Sequence, residues 1–279
     1  MRRCRAPFRG LLSSLRVERD EVSRLRYASQ KVYTAQPPQA HSRSPARTGR
    51  IWSRQRRSRD SLVRRVCTRL RNAYGLPRLG NPKDPLDDLI FIVLSNRTSS
   101  TAAVDVYSKL KREFGVWDHV LDQSPSRLQS ELQPLGLARK RSRQLRAALR
   151  AIRERWGSCD LAPLRDQGDE EVHNYLTSLP GVSDKVAKCV MMYTLNRAVL
   201  PVDTHVYRVS ARLGWVQRKR ADQCHEELES LVPADLRHSF HVTCIAHGRA
   251  VCRARQPLCE WCVVRRDCNL YKSCGGALV

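Results

Sequence analysis

Along the body of the chain, apolar residues recur at the three- and four-residue spacing of helices rather than at the alternation of half-buried strands. The clearest start signal is Asp84 followed by Pro85, an N-cap and N1 pair that precedes the apolar run Leu89–Leu94. That run alone would also suit a buried strand, and the cap favours a helix. No segment shows convincing strand alternation, so the pattern predicts an all-α protein.

Two further helices are predicted from apolar stripes. The first covers 101–114 and ends at Gly115. Its stripe consists of Val104, Tyr107, Leu110 and Phe114. The second has its stripe at Leu145, Leu149, Ile152 and Trp156. The other face of this second helix carries Arg141, Arg143, Arg146, Arg150 and Arg153. Such a face is compatible with binding to a polyanion. It is equally compatible with simple exposure to solvent, because arginine is a good helix former.

The charge balance indicates a polyanionic partner. The 279 residues include 51 Lys+Arg and 27 Asp+Glu, a formal net charge of +24, which an enzyme acting on a small neutral metabolite does not need. The longest apolar run, Leu89–Leu94, is too short to cross a bilayer. An aromatic content of 6% argues against a protein that stacks many unpaired bases.

Half of the net charge lies in the first fifth of the chain. Residues 1–60 hold 16 Lys+Arg against 4 Asp+Glu, and 36–50 are rich in Pro, Ser, Gln and Arg without apolar periodicity. We expect residues 1–60 to be a basic, disordered arm that tethers DNA or is dispensable. A segment without an acid before Glu18 is also typical of organellar targeting, and that alternative stays open.

Four of the eleven cysteines lie within a 17-residue segment near the C-terminus. The four are Cys252, Cys259, Cys262 and Cys268, and their spacing is C-x6-C-x2-C-x5-C. The total is odd and there is no evident export signal, so the composition favours a metal centre over disulfides. The spacing alone allows either tetrahedral Zn²⁺ or a 4Fe-4S cluster. By contrast, His225, His238, His241 and His247 have the pattern of ordinary core or helix-surface histidines.

The stretch LPGVSDK, residues 179–185, predicts two helices joined by a Pro-Gly turn. Backbone N–H groups at such a turn, beside a helix N-terminus, can bind a phosphate without reading a base. Lys185 falls in the first turn of the second helix, where the helix dipole and the nearby Lys188 favour a neutral, nucleophilic amine. Asp203 begins the next helix and on spacing alone is an N-cap. Neither residue establishes catalysis by itself.

Together, LPGVSDK, then VDTH at 202–205, then the four-cysteine motif resemble the endonuclease III family of DNA glycosylases in the helix-hairpin-helix superfamily. The resemblance covers roughly residues 61–272, and the motifs follow the family's order and spacing. Residues 155–216 also resemble the plant DEMETER-type 5-methylcytosine glycosylases, notably in GSCDLAPLRD and PVDTHVYRVSARLGWV. The resemblance implies two α-helical lobes with a lesion pocket between them.

In domain terms, the resemblance implies a six-helix barrel with the helix-hairpin-helix over 84–197. It also implies an iron–sulfur lobe assembled from 61–83 and 198–272, and a tail over 273–279. The four clustered cysteines match the family's cluster ligands, which places a 4Fe-4S cluster ahead of Zn²⁺. The expected partner is double-stranded DNA with a damaged or modified base or an abasic site, bound by a monomer. We expect an intracellular, DNA-associated protein that does not enter a membrane.

The resemblance also assigns chemistry. Lys185 occupies the position of the family's catalytic lysine and Asp203 that of its aspartate, which implies base excision followed by β-elimination through a lysine Schiff base. The expected DNA contacts are Leu179, Pro180, Gly181, Val182, Ser183, Arg97, Arg253 and Arg255.

Two departures from the family pattern affect specificity. Ser183 stands where the hairpin usually has a second glycine, and Arg97 replaces an amide in the loop that fills the space of the flipped base. We therefore expect a damaged or modified pyrimidine, with Arg97 as a specificity candidate. The alternatives are a glycosylase for an epigenetic or phage-modified cytosine and a DNA-binding relative without turnover.

Overall fold

The computed structural model describes residues 48–96, 98 and 100–275, and side chains from Ser58 onward except that of Ser100. The described part is helical and contains no strand, which confirms the all-α class. The helices are α1 Thr48–Tyr74, α2 Pro85–Ser95, α3 Ser100–Phe114, α4 Asp118–Asp122, α5 Pro125–Glu131, α6 Ala138–Trp156, α7 Asp169–Ser178, α8 Asp184–Tyr193, α9 Thr204–Leu213, α10 His225–Leu231, α11 Ala234–Ala250 and α12 Asn269–Ser273.

Helix α2 begins as the cap pattern predicts. The Asp84 carboxylate accepts hydrogen bonds from the backbone N–H groups of Leu86 at 3.0 Å and Asp87 at 2.9 Å, and Pro85 occupies the first helical position. The helix is buried on nearly all sides, which explains why its sequence reads as a continuous apolar run. The run Leu89–Leu94 is therefore a core helix and not a strand.

Two hydrophobic cores organise the described chain. The first is continuous in sequence and takes its buried residues from Leu86 to Leu195, with Leu110, Leu149 and Val190 among them. The second combines 63–70 of α1 with buried residues between Leu200 and Cys268. Helix α1 packs against α11, which also packs against α9. The second core is thus built from segments that precede and follow the first core in the sequence.

The predicted end of the basic arm at residue 60 is wrong. Helix α1 starts at Thr48 and runs without interruption to Tyr74, so position 60 lies inside a helix. The helix is tied to the C-terminal region, because Arg65 and Arg69 donate to the Asp267 carboxylate at 2.9 and 2.7 Å. The rest of the predicted arm, residues 1–47, lies outside the described residues, as does most of the predicted tail, 276–279.

The arginine face of α6 is only partly solvated. Arg141 is 9% exposed and Arg146 is 6% exposed. Arg146 donates to the backbone carbonyls of Val120, Leu121 and Gln123, which lie at the end of α4 and just after it. The guanidinium fork satisfies carbonyls that a helix terminus leaves without partners. These two arginines therefore hold the fold together and do not belong to a DNA-facing stripe.

The register predicted for α3 needs one correction. Val104 is 46% exposed, and Ala103 and Val106 face the core in its place. Of the other three predicted positions, Leu110 and Phe114 are buried as expected and Tyr107 is half-buried against the same core. Within the described ranges, none of the helices combines the length and apolar character that a membrane span requires.

Candidate active site

The turn between α7 and α8 has the geometry of a hairpin. The N–H of Val182 donates to the carbonyl of Leu179 at 3.1 Å, and both side chains are buried beneath the turn. Pro180, Gly181 and Ser183 are exposed. Gly181 adopts φ +87, a conformation that disfavours other residues, and a Cβ there would lie 3.2 Å from Gln144 of α6. The turn is therefore anchored by two apolar side chains and presents its tip to solvent.

Ser183 occupies the N-cap position of α8 without capping it through its side chain. Its backbone carbonyl accepts from the N–H of Ala187 at 2.9 Å, as a cap residue should, but its hydroxyl makes no cap hydrogen bond. The first-turn N–H groups of α8 are thus not satisfied by a side-chain cap. This is the local arrangement that a phosphate oxygen can complete.

An ionic network supports α8 from the side facing the second core. Asp184 lies 2.5 Å from Nε2 of His173 and 3.0 Å from Nδ1 of His225. The ammonium of Lys188 is buried and lies 3.2 Å from Glu229 of α10. The sequence suggested that the charge of Lys188 acts on Lys185. In the structure Glu229 balances that charge, so Lys188 is a structural cation.

The two carboxylate oxygens of Asp203 differ in their hydrogen bonding. Oδ1 accepts from the N–H groups of His205 at 2.9 Å and Val206 at 2.8 Å, so Asp203 is the N-cap of α9. No hydrogen bond involves Oδ2 within the described residues. The capping role predicted from spacing is correct, and it leaves one oxygen of a half-buried carboxylate available for chemistry.

Lys185 and Asp203 lie near the same two groups. Burial raises the pKa of Cys189 to about 12; the charge of Lys185 opposes this shift and that of Asp203 adds to it. Burial lowers the pKa of His241 to about 4, with Asp203 and Lys185 again acting in opposite directions. Lys185 itself is half-buried. The structure therefore gathers both predicted residues around Cys189 and His241.

His241 is fixed in one neutral tautomer. Its Nδ1 lies 2.9 Å from the carbonyl of Pro201, which can only accept, so Nδ1 carries the proton. Nε2 consequently accepts from the Tyr193 hydroxyl at 2.6 Å. His247 is likewise buried and bonded to the Tyr74 hydroxyl at 2.8 Å, and His225 is also buried. His238 stacks edge-on against Tyr193.

Asp88 is a titratable group that sequence reasoning overlooked. An acid in the first turn of a helix is normally solvated there, yet Asp88 is 0% exposed. Its Oδ1 accepts from Nδ2 of Asn81 at 2.6 Å, and its Oδ2 is buried without a hydrogen bond. Burial raises the pKa of Asp88 to about 7, against the opposing effects of Asn81 and Lys185.

The first turns of α6 contact two other segments, the one after α2 and the hairpin. Arg141 donates to the carbonyl of Asn96 at 2.8 Å and to the Thr98 hydroxyl at 3.0 Å, which fixes the segment after α2. Gln144 packs under the hairpin glycine. Exposed basic residues Arg139, Lys140 and Arg143 lie on the same turns. Arg97, the specificity candidate, is outside the described residues.

Leu137 precedes α6 at this end and was missed from sequence. Its backbone has φ 51, which is strained for leucine, and its side chain is 70% exposed. An apolar side chain held in such a conformation toward solvent is a candidate wedge between bases. The only sequence signal is the preceding Gly136, which marks a turn and not a wedge.

The four clustered cysteines line one cavity. Its walls include Val209, Leu213 and Leu270, and Arg212 donates to Sγ of Cys252 at 3.2 Å. In the described part of the chain no three His, Cys, Asp or Glu side chains converge closely enough to hold a single metal ion. All four cysteines nevertheless line the same cavity, which makes them candidate ligands of one metal centre.

The loop between the first two cysteines carries the two remaining predicted DNA contacts. Arg253 and Arg255 are exposed there. The loop backbone is held by Arg212, which donates to the carbonyls of Arg253 at 2.7 Å and Ala254 at 3.0 Å. The side chains of Arg253 and Arg255 are therefore accessible on a fixed loop. Their contact with DNA stays a prediction.

Comparisons with known proteins agree with this geometry. Residues 90–234 match the model of the HhH-GPD superfamily of base excision DNA repair proteins. Endonuclease III of Thermotoga maritima is 30% identical over 216 residues, 77% of this chain and 94% of the relative. Endonuclease III of Escherichia coli K12 is 27% identical over 74% of this chain and 94% of the relative. DEMETER-like protein 2 of Arabidopsis thaliana is 26% identical over 56% of this chain but only 13% of its own length.

Solved structures show the same fold. A non-covalent endonuclease III–DNA complex aligns with a TM-score of 0.68 at 23% identity, covering 78% of this chain and 99% of that one. A thermostable thymine-DNA glycosylase aligns with a TM-score of 0.65 at 21% identity, covering 80% of this chain and 100% of that one. The superfamily match and the long alignment with endonuclease III show that the chain belongs to the endonuclease III family of base-excision-repair DNA glycosylases.

Proposed function

We propose that this glycosylase is bifunctional and that Lys185 and Asp203 perform its chemistry. The observation that supports this most directly is the placement of both residues around Cys189 and His241. A nucleotide flipped out of the duplex would enter beside them. Oδ2 of Asp203, the oxygen that does not cap α9, would stabilise the positive charge that develops on the sugar as the base leaves. Lys185 would then attack C1′, and the resulting imine would permit β-elimination and strand cleavage.

The proposed substrate is a damaged or modified pyrimidine in double-stranded DNA, bound by a monomer. The hairpin 179–183 would bind backbone phosphate through exposed N–H groups, and Arg253 and Arg255 would add contacts from the cysteine loop. Arg97 would contact the orphaned base. The likeness to DEMETER-like protein 2 supports an epigenetically modified cytosine as the second candidate. We propose that the enzyme acts inside the cell and is associated with DNA.

We further propose that Cys252, Cys259, Cys262 and Cys268 hold a 4Fe-4S cluster. When bound, the cluster would supply four strong iron–thiolate bonds that stabilise the second core. The two cores correspond in this proposal to a barrel lobe, 84–197, and a cluster lobe that includes 61–83 and 198–272. The residues fit because all four thiols already face one cavity.

The test of the proposed activity is a panel of duplexes containing thymine glycol, dihydrouracil, uracil, 5-methylcytosine or an abasic site. Release of a pyrimidine and covalent trapping on the abasic duplex with borohydride are the expected results. Preferential release of 5-methylcytosine would select the second candidate. Normal DNA binding without base release or trapping would identify a non-catalytic relative and refute the proposal.

Replacement of Leu137 by alanine should slow excision from a fully paired duplex by about tenfold, because an apolar wedge lowers the cost of unstacking the target. Trapping on an abasic site should change little, since no base must be flipped there. Single-turnover rates on both duplexes measure the difference. Val116→Ala, another exposed apolar residue, is the matched control and should leave both rates unchanged. Equal losses on both duplexes would contradict a wedge role.

A further inference from the structure

Asp88 occupies an unusual place for an ionisable group. Helix α2 packs against α8, which carries Lys185, and the Asp88 side chain is completely buried. Carboxylates are almost never fully buried unless paired. Asn81 satisfies one oxygen of Asp88, whereas Oδ2 has no hydrogen-bond partner. A buried oxygen left in this state costs stability, so its retention in this position calls for a functional explanation.

The charged and titratable surroundings of Asp88 come from three helices. Asp84, the cap of its own helix, raises the pKa of Asp88, whereas Lys185 on α8 lowers it. Asp88 in turn raises the pKa of Tyr107 on α3 and of Cys189 and Tyr193 on α8. Lys185 is the one cation among these groups in the described chain. No ion pair within 4.0 Å joins it to Asp88 among the described residues, and the helices that carry the two residues, α2 and α8, pack against each other.

We propose that Asp88 is the internal proton acceptor for Lys185, through which it prepares the amine to attack the abasic sugar. This inference rests on the proposed lyase function and adds to it a residue that acts on the nucleophile. In the proposed step the flexible side chain of Lys185 passes its proton to Oδ2 directly or through one water.

The proton and electron balance of the step is simple. The N–H bond of the Lys185 ammonium breaks and an O–H bond forms at Oδ2 of Asp88. The released nitrogen lone pair forms the C–N bond to C1′ as the C=O π bond opens onto oxygen. That oxygen takes up one proton from the attacking nitrogen and one returned by Asp88, and it leaves as water when the C–O bond breaks. The product is the Lys185 imine. No oxidant, reductant or further co-reactant is needed.

Asp88 suits this role better than Asp203. Asp203 is held in place by two backbone N–H groups through Oδ1, as the cap of α9. Asp88 is desolvated, and burial brings its pKa to about 7, where a carboxyl can both accept and release a proton near neutral pH. The two carboxylates are thereby separated in function by their environments.

The test is the pH dependence of imine formation in the full chain. Wild type and Asp88→Asn are trapped on an abasic duplex with cyanoborohydride between about pH 5.5 and 9.5. Wild type should show an acid limb near neutral pH, because protonated Asp88 cannot accept. Asp88→Asn should trap on the order of 100-fold more slowly at neutral pH. Its rate should rise about tenfold per pH unit toward alkaline pH, where hydroxide replaces the carboxylate.

Asn81→Ala separates proton transfer from a structural role. It removes the hydrogen bond that anchors Asp88 but keeps the carboxyl. Since that bond lowers the pKa of Asp88, the acid limb of Asn81→Ala should move to higher pH and persist. If Asp88 only anchors the segment before α2, both variants should instead lose activity equally at every pH, which would overturn the inference.

The stability of Asp88→Asn provides a second readout. Because burial raises the pKa of Asp88 from 3.8 to about 7, the folded chain loses stability as pH rises through that interval. An amide cannot ionise, so Asp88→Asn should have a higher Tm than wild type at about pH 8. The difference should shrink as pH falls toward about 4. A variant that is more stable yet slower at neutral pH cannot owe its defect to misfolding.

The outcomes also distinguish this inference from the function on which it rests. A wild-type pH profile in Asp88→Asn, alongside normal trapping by wild type, would overturn the role of Asp88 alone. Absence of trapping by wild type at every pH would overturn the lyase proposal itself.

Discussion

Lys185→Gln should abolish covalent trapping on abasic DNA, with a loss on the order of 10³-fold or more in strand cleavage. The amide has nearly the reach of lysine but no basic nitrogen, so no imine can form. DNA affinity should fall only slightly, because the variant removes one of many positive charges. Borohydride trapping, strand cleavage and equilibrium binding to the same duplex measure the three quantities.

Lys185→Arg is the matched control for charge. Arginine keeps the cation near Asp203 but remains protonated and cannot act as the nucleophile. It should bind DNA as wild type does and should not be trapped. Trapping of either variant at the wild-type rate would show that another amine forms the adduct. Lys188 is a poor candidate, since its ammonium is buried against Glu229.

Cys259→Ala should cost the protein the proposed 4Fe-4S cluster and much of the stability of the second core. With one of four ligands removed, we expect the loss of iron, sulfide and visible absorbance. The free energy of unfolding should drop by about 5 kcal/mol or more, because metal binding free energy in such sites is folding free energy. Elemental analysis and thermal unfolding of protein purified without oxygen provide the measurements.

Cys274→Ala is the corresponding control. Cys274 is exposed and lies outside the C-x6-C-x2-C-x5-C motif, so iron content and Tm should match wild type. A full iron complement in Cys259→Ala, or stoichiometric zinc in the wild-type protein, would contradict the cluster assignment.

Local signals in the sequence predicted the elements that depend on local physics. The Asp84–Pro85 pair marked the start of α2 because capping involves only the next three residues. The Pro-Gly turn gave the hairpin for the same reason. The site residues were recognisable because three motifs occur in a fixed order, and Lys185 and Asp203 by themselves would not have been assigned.

Tertiary contacts determined what the sequence did not predict. On a helical wheel Arg141 and Arg146 lie on the solvent side. In the structure they are buried, and their guanidinium groups donate to carbonyls that follow other helices. Asp88 has the sequence context of a solvated first-turn acid, and only the packing of α2 on α8 makes it a buried one. The strained φ of Leu137 likewise has no signature in residue type. For the two arginines and for Asp88, the relevant partner lies far away along the chain.

The split second core imposes an order on biosynthesis. Helix α1 is made before the other described helices, but α11, against which it packs, and the Asp267 that binds Arg65 and Arg69 are made much later. At roughly 5–20 residues per second, α1 waits on the order of ten seconds for them. The continuous core between Leu86 and Leu195 can form during that interval. The apolar face of α1 is then the surface of the nascent chain most exposed to aggregation, and synthesis through Cys268 is what covers it.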